Sequence, residues 1–235
     1  MSIINKIFKS KGPEEDDSPA ISEEVETDNT DLKIKADPQL EYNKRIELNP
    51  KDADAYYFRG NEKSKIADYS GAIEDYTHAL KLDLKYTDAY INRAIARSKS
   101  DDLKGALQDY TIAITIKPDF ALAYNNRGII KREIGNYGGA VDDYNKAISL
   151  NPNFDEAYVN RGISRNEYKN HQGAIEDFNE AIALNPINAH AYNNRGIVKY
   201  TLGDLDGAFL DWRKARDLGS TDADANIKQY STEPS

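Results

Sequence analysis

Residues 121–154 read ALAYNNRGIIKREIGNYGGAVDDYNKAISLNPNF, and residues 155–188 read DEAYVNRGISRNEYKNHQGAIEDFNEAIALNPIN. The pattern they share begins again at Ala53, Thr87 and Ala189, so five units of 34 residues follow one another without insertion or deletion. Self-similarity at such a period marks stacked supersecondary units rather than one spherical core. Counting slots from each start, slot 4 is always tyrosine: Tyr56, Tyr90, Tyr124, Tyr158 and Tyr192. Slot 20 is always alanine (Ala72, Ala106, Ala140, Ala174, Ala208), as is slot 27 (Ala79, Ala113, Ala147, Ala181, Ala215). Slot 24 is aromatic throughout, with Tyr76, Tyr110, Tyr144, Phe178 and Trp212. Slot 8 is small: Gly60, Ala94, Gly128, Gly162 and Gly196.

These spacings predict two antiparallel helices per unit. Slots 3, 4 and 8 share one face of a first helix, and slots 17, 20, 21, 24, 27 and 28 share one face of a second. Small residues at slots 8 and 20 let the two helices approach, while the aromatics at slots 4 and 24 fill the volume beside them. Gly135–Asn136 and Gly203–Asp204 mark the turn between them. Pro118, Pro152 and Pro186 at slot 32 stop the second helix, because proline cannot continue it.

The tyrosine, glycine, alanine, aromatic and proline slots together resemble the tetratricopeptide repeat family over residues 53–222. The resemblance implies an all-α fold, a right-handed α-solenoid of five helix-turn-helix repeats at 53–86, 87–120, 121–154, 155–188 and 189–222. Ahead of them Gln39 to Pro50 (QLEYNKRIELNP) matches a second helix, with Tyr42 in slot 24, so residues 38–52 form a half-repeat capping helix. Residues 223–235 supply a short C-terminal cap and tail, as a stacked array needs polar outer faces at its ends. Three positions depart from the family pattern. Leu84 replaces proline in the first unit, Gly219–Ser220 closes the fifth, and slot 7 is arginine rather than leucine throughout.

Composition sets further bounds. The 235 residues carry 40 acidic and 31 basic side chains, a formal charge of −9. Five units of that excess fall in residues 1–37. From Gly12 to Asp31 there are nine acidic residues, no basic one and no aromatic, a composition that predicts a disordered segment. Residues 1–11 differ: Ile3, Ile4, Ile7 and Phe8 share a helical face flanked by Lys6, Lys9 and Lys11, the pattern of a short membrane-surface or partner-docking helix, or of a frayed terminus. No apolar run approaches the length of a transmembrane helix. The absence of cysteine excludes disulfides and thiolate chemistry and fits a reducing compartment such as the cytoplasm. An acidic chain is a poor binder of nucleic acid, whose affinity for proteins rests on lysine and arginine.

No catalytic residue, metal ligand or cofactor site is expected. His78, His171 and His190 occupy different slots without a second ligand at metal spacing. Gly135, Gly138 and Gly139 lie between two helices and lack the lysine of a phosphate loop. The repeated charges are more informative. Slot 7 holds Arg59, Arg93, Arg127, Arg161 and Arg195; slot 11, one turn on, holds Lys63, Arg97, Lys131, Arg165 and Lys199. Slot 23 holds Asp75, Asp109, Asp143, Asp177 and Asp211. These fixed positions imply a structural arginine–aspartate pair in every unit, the competing reading being a basic stripe for an anionic partner.

Slots 2, 6, 9 and 13 share another stripe of the first helix, and in the tetratricopeptide family that stripe lines a concave peptide groove. Slot 6 carries Phe58 and then Asn92, Asn126, Asn160 and Asn194; slot 9 carries Asn61 and then Ile95, Ile129, Ile163 and Ile197. An asparagine amide both donates and accepts, so it can satisfy one peptide unit of an extended ligand, or else a neighbouring helix. Helices packed about 8–10 Å apart would place one asparagine every third ligand residue, given a rise of about 3.3 Å per residue. Family members that clamp a chaperone's terminal carboxylate use lysine and arginine beside asparagine. The matching slots here hold Tyr57, Asn61, Asn92, Leu122 and Asn126, so that ligand is disfavoured. The expectation is a non-enzymatic adaptor for an extended protein segment. Two rivals stand: assembly through the end or convex faces, and occlusion of the groove by the acidic tail near Lys65 and Lys99.

Overall fold

The computed structural model describes residues 38–231, which form twelve helices and no strand. The acidic segment 1–37, with its 1–11 stretch, lies outside the described residues, as do residues 232–235. Helix α1 (Pro38–Leu48) leads. The first unit is α2 (Ala53–Lys65) with α3 (Tyr69–Leu82), and the second α4 (Thr87–Lys99) with α5 (Leu103–Ile116). The third is α6 (Ala121–Glu133) with α7 (Tyr137–Leu150), the fourth α8 (Asp155–Glu167) with α9 (His171–Leu184). The fifth is α10 (Ala189–Thr201) with α11 (Leu205–Asp217), and α12 (Thr221–Tyr230) closes the array.

One local device starts every second helix. Slot 16 is Asp68, Asp102, Asn136, Asn170 or Asp204, and each side chain accepts the backbone N–H of a glycine three residues on at 2.9–3.0 Å. That bond satisfies one of the donors a helix start leaves free. The residue at slot 15 is left-handed in each unit; Gly135 and Gly203 adopt this freely, whereas Ala67, Asp101 and Lys169 carry a β-carbon into it at φ 62–65°. First helices begin in two ways. Asp52, Asn188 and Ser220 cap with a side-chain oxygen, while Tyr86, Phe120 and Phe154 give no side-chain cap. The rings of Tyr86 and Phe120 pack against the core instead. Because Ser220 caps α12, that helix starts two residues ahead of the 34-residue register, and fully buried Ala223 takes the place held by Ala55, Ala89, Ala123, Ala157 and Ala191.

Packing follows the small and large slots. Tyr76, Tyr144, Phe178 and Trp212 are buried against the slot-8 glycines. A β-carbon on Gly128 would sit 2.6 Å from the Tyr144 ring, and one on Gly196 would sit 2.6 Å from Trp212 Nε1 and 3.1 Å from the Ala208 carbonyl. The core passes from unit to unit: Phe178 and Ala181 meet Ala191 and Val198, and Trp212 and Ala215 meet Ala223. At the C-terminal end Tyr230 stacks on Trp212 with ring centres 5.4 Å apart; at the other end Tyr42 stacks on Phe58 at 5.9 Å. First helices of successive units also touch directly (α2 with α4, α6 with α8, α8 with α10), and no pair of second helices approaches as closely. The first helices therefore line the inner side of the stack.

Two predictions follow from this core. Trp212 cannot move aside, because its indole N–H donates to the Asn193 carbonyl at 3.2 Å, so Gly196→Ala should cost about 2–3 kcal/mol in urea unfolding. Gly128→Ala should cost about 1 kcal/mol, since the second unit already seats Ala94 in the same slot; equal costs would contradict the argument. The second concerns alkali. Burial pushes the hydroxyls of Tyr110 and Tyr144 up to about 12 and raises those of Tyr76 and Tyr86 as well. A folded value above the unfolded one of about 10 means stability is full below pH 10 and is lost as pH rises towards the folded value. Circular dichroism melts should show Tm falling between about pH 10 and 12, with a shallower fall in a Tyr110→Phe, Tyr144→Phe variant.

Candidate functional site

The slot-7 arginines are built into the stack. In each unit the guanidinium meets the slot-23 aspartate of the second helix, with Nη2 to Oδ1 at 2.6–2.7 Å. The Nε–H donates to the same carboxylate at 2.8–3.1 Å. A second cation from slot 11, one turn along, reaches each aspartate at 2.8–2.9 Å: Lys63, Arg97, Lys131, Arg165 and Lys199. The remaining donor, Nη1, crosses to the preceding unit and bonds Asn43, Thr77, Thr111, Asn145 or Asn179 at 2.6–3.3 Å. The slot-4 tyrosine lies beneath, with the guanidinium carbon 5.3–5.6 Å from its ring centre. Each carboxylate is buried, and at Asp177 burial pushes the carboxyl up against the pull of Arg161 and Arg165. Direction, more than net energy, is what such desolvated forks contribute. The ladder ends at the fifth unit, where the slot that should accept is the exposed Arg213 and α12 carries Ile227 in place of an arginine.

The inner stripe is uneven. Between α2 and α4, Asn61, Ser64, Lys65, Tyr76, Asn92 and Ile95 line a cavity of about 210 Å³. Between α8 and α10, Glu156, Val159, Asn160, Ile163, Asn188, His190 and Asn194 line one of about 290 Å³. Ile95 is exposed and Ile129, Ile163 and Ile197 are half-buried. The four asparagines have different partners. Asn92 donates to the Tyr57 hydroxyl at 3.1 Å and to Asn61 Oδ1 at 2.9 Å. Asn160, which is buried, donates to Asn125 Oδ1 at 3.1 Å, and Asn226 of α12 donates to Asn193 Oδ1 at 3.0 Å.

These cross-unit bonds arise where slot 5 of the preceding unit is polar: Tyr57, Asn125, Asn193. In the second and fourth units slot 5 is the buried Ile91 or Val159, which offers no acceptor. The asparagines that follow are therefore bonded elsewhere. Asn126 lies beside the Tyr110 hydroxyl and the Asn125 amide, and Asn194 donates to the His190 carbonyl of its own helix at 2.8 Å. Of the other histidines, His78 stacks on Tyr56 and His171 Nδ1 meets Asn166 Oδ1 at 2.7 Å. Among the described residues no group of three histidine or carboxylate side chains could hold a metal ion. No helix among them is long and apolar enough to cross a membrane.

Family models described as tetratricopeptide repeat match residues 53–86 and 121–154, and one described as TPR repeat matches residues 164–203. The chain is a tetratricopeptide repeat protein. No curated protein matches its sequence. Among solved structures, MamA shares 23% identity at a TM-score of 0.64, covering 73% of this chain and 97% of MamA. YrrB, described as a TPR protein with an unusual peptide-binding site, shares 22% identity at a TM-score of 0.66, covering 80% of this chain and 97% of its own. The Pseudomonas aeruginosa pilF protein shares 19% identity at a TM-score of 0.65, covering 77% of this chain and 93% of its own. At these identities the likeness is one of tetratricopeptide fold.

Sequence reasoning passed over the slot-25 acceptors and the alternation at slot 5. Both are visible as columns: Asn43, Thr77, Thr111, Asn145, Asn179 in the first, and polar then apolar residues in the second. Asp143→Asn leaves Arg127 and Lys131 facing a neutral amide, so equilibrium urea unfolding should show a loss of about 3 kcal/mol. Thr111→Val removes the 3.3 Å cross-unit bond and the hydroxyl's exposed 2.7 Å bond to the Leu107 carbonyl of its own helix, and should cost about 1 kcal/mol or less; the reverse order would contradict the assignment.

Proposed function

We propose that this tetratricopeptide repeat protein is a non-enzymatic adaptor that takes an extended segment of another protein along the inner face of its first helices. The observation that carries the reading is two clefts on that face, each lined by a slot-9 isoleucine, Ile95 or Ile163, beside side-chain amides, with Ile129 and Ile197 at the same slot of the third and fifth units. An extended chain has backbone donors and acceptors that must be met when water is removed, and asparagine meets both kinds at once. Strand-like spacing of about 3.3 Å per residue lets one ligand residue in two project to the floor while the others face solvent.

The four asparagines take separate parts in this reading. Asn92 and Asn160 spend an amide hydrogen on the preceding unit, and so set how adjacent first helices sit. Asn126 and Asn194, two units apart, follow apolar slot-5 residues and have no tie to the preceding first helix. Asn126 is hydrogen-bonded to the Tyr110 hydroxyl of the preceding second helix and Asn194 to its own helix, and the remaining capacity of each amide is left to the ligand backbone. Contacts two units apart, about 16–20 Å, suit a segment of six or so residues between them.

The test separates the two pairs. Using a pool of random nonapeptides and fluorescence anisotropy, Asn194→Ala should weaken binding several-fold and leave the melting temperature within about 1 °C, and adding Asn126→Ala should bring the loss in binding to about tenfold or more. Asn160→Ala should instead lower stability by about 1–2 kcal/mol, because Asn125 loses its buried donor. Unchanged binding in the double variant would reject the groove and favour assembly through the ends.

A further inference from the structure

The cleft between α8 and α10 is lopsided in its hydrogen-bonding capacity. Its floor is apolar, formed by Val159 and Ile163, and its walls are Asn160 and Asn194 with Glu156 and His190 at the rim. Asn160 gives an amide hydrogen to Asn125, and Asn194 gives one to the His190 carbonyl. Asn188, at the edge, serves as a helix cap: its oxygen accepts the Ala191 N–H and its nitrogen donates to Asp155. What remains is two amide oxygens and a carboxylate against one spare hydrogen on each of the two amides and the His190 ring, so acceptors predominate. Glu156 is exposed and forms no ion pair among the described residues. An apolar floor topped by three acceptors, one of them charged, complements a side chain with a long hydrocarbon stem and a cationic, donor-rich head.

We propose that this cleft is the specificity pocket of the groove and takes a lysine or arginine side chain of the bound segment. The proposal rests on the groove reading above and names what one position of that ligand must be. The stem lies on Val159 and Ile163, and the head donates to Glu156 and to the Oδ1 atoms of Asn160 and Asn194. Charge elsewhere agrees. Glu133 and Glu167, at slot 13 of the third and fourth units, are exposed and carry no ion pair among the described residues, so slot 13 is acidic in this half, with Arg132 beside Glu133 turned to Tyr144. The other half differs: Lys65 and Lys99 stand at the same slot, and the cleft between α2 and α4 has Lys65, paired with Glu62 at 2.7 Å, in its wall. A ligand that places its basic residue at the α8–α10 cleft is therefore also held in one orientation along the groove.

The probe is a positional-scanning set of nonapeptide pools, each fixing lysine, arginine, norleucine or glutamate at one position, with binding read by fluorescence anisotropy. Lysine or arginine should exceed norleucine about tenfold at one position, and glutamate should bind worst there. Glu156→Gln should erase that preference while the pools still bind and still depend on Asn126. Raising the salt from 50 to 500 mM should compress the lysine-to-norleucine ratio in the wild type, as expected for a rim carboxylate. Pools that bind with no basic preference, or a preference that survives Glu156→Gln, overturn the pocket and leave the groove standing. Pools that do not bind at all overturn both.

Discussion

One guanidinium fixed in three directions is the constraint on which the rest depends. The slot-7 arginine grips an aspartate of its own second helix, lies over its own tyrosine, and reaches an Asn or Thr of the unit before. The first two contacts set the angle within a helix pair, and the third sets the angle between pairs. A leucine in that slot would fill volume without choosing a direction. Desolvating an aspartate and two cations offsets much of what their attraction returns, and the array's buried apolar surface lies in the alanine, tyrosine and tryptophan core. The charges decide which of the possible apolar packings is adopted, and with it the curvature that makes an inner face.

Much of this was legible in the residues, and the limits have physical causes. Slots 4, 8, 20, 24 and 27 could be read because volume must be matched in every unit: Gly162 beside Phe178 and Gly196 beside Trp212 are two forms of one requirement. The aspartates at slot 23 were legible for the same reason, since a buried carboxylate cannot vary. The candidate groove was less so. Four asparagines in one column look equivalent, yet their partners belong to the neighbouring unit's column, and only geometry brings Asn160 to Asn125 while leaving Asn126 beside Ile91's unit. Periodicity within a unit exposes the fold; differences between units make the site, and a repeat pattern averages these away.

The turns show the same division. Asn170 and Gly173 form a cap that any unit can use, so slots 16 and 19 are uniform. The helix starts at slot 34 are not uniform, because an aromatic such as Phe120 gains by burial what Asn188 gains by capping. Two chemically unrelated residues solve one problem, and no single pattern describes both. Likewise Ser220 ends the exact period early, and α12 follows the cap rather than the count.

Arg213 ends the run of interchangeable junctions. Any unit whose slot 25 holds threonine or asparagine can accept a following arginine, so the first four junctions are interchangeable in kind. At the fifth that slot is itself a guanidinium, and a sixth unit of the same design would set two cations against each other. The helix that does follow carries Ile227 there and is held by Tyr230 on Trp212 instead. Elongation by unequal duplication is thus blocked at one end of the stack by a single side chain, while duplication among the inner units would leave every donor matched. The last junction fixes where the stack is capped, not how many inner units it holds.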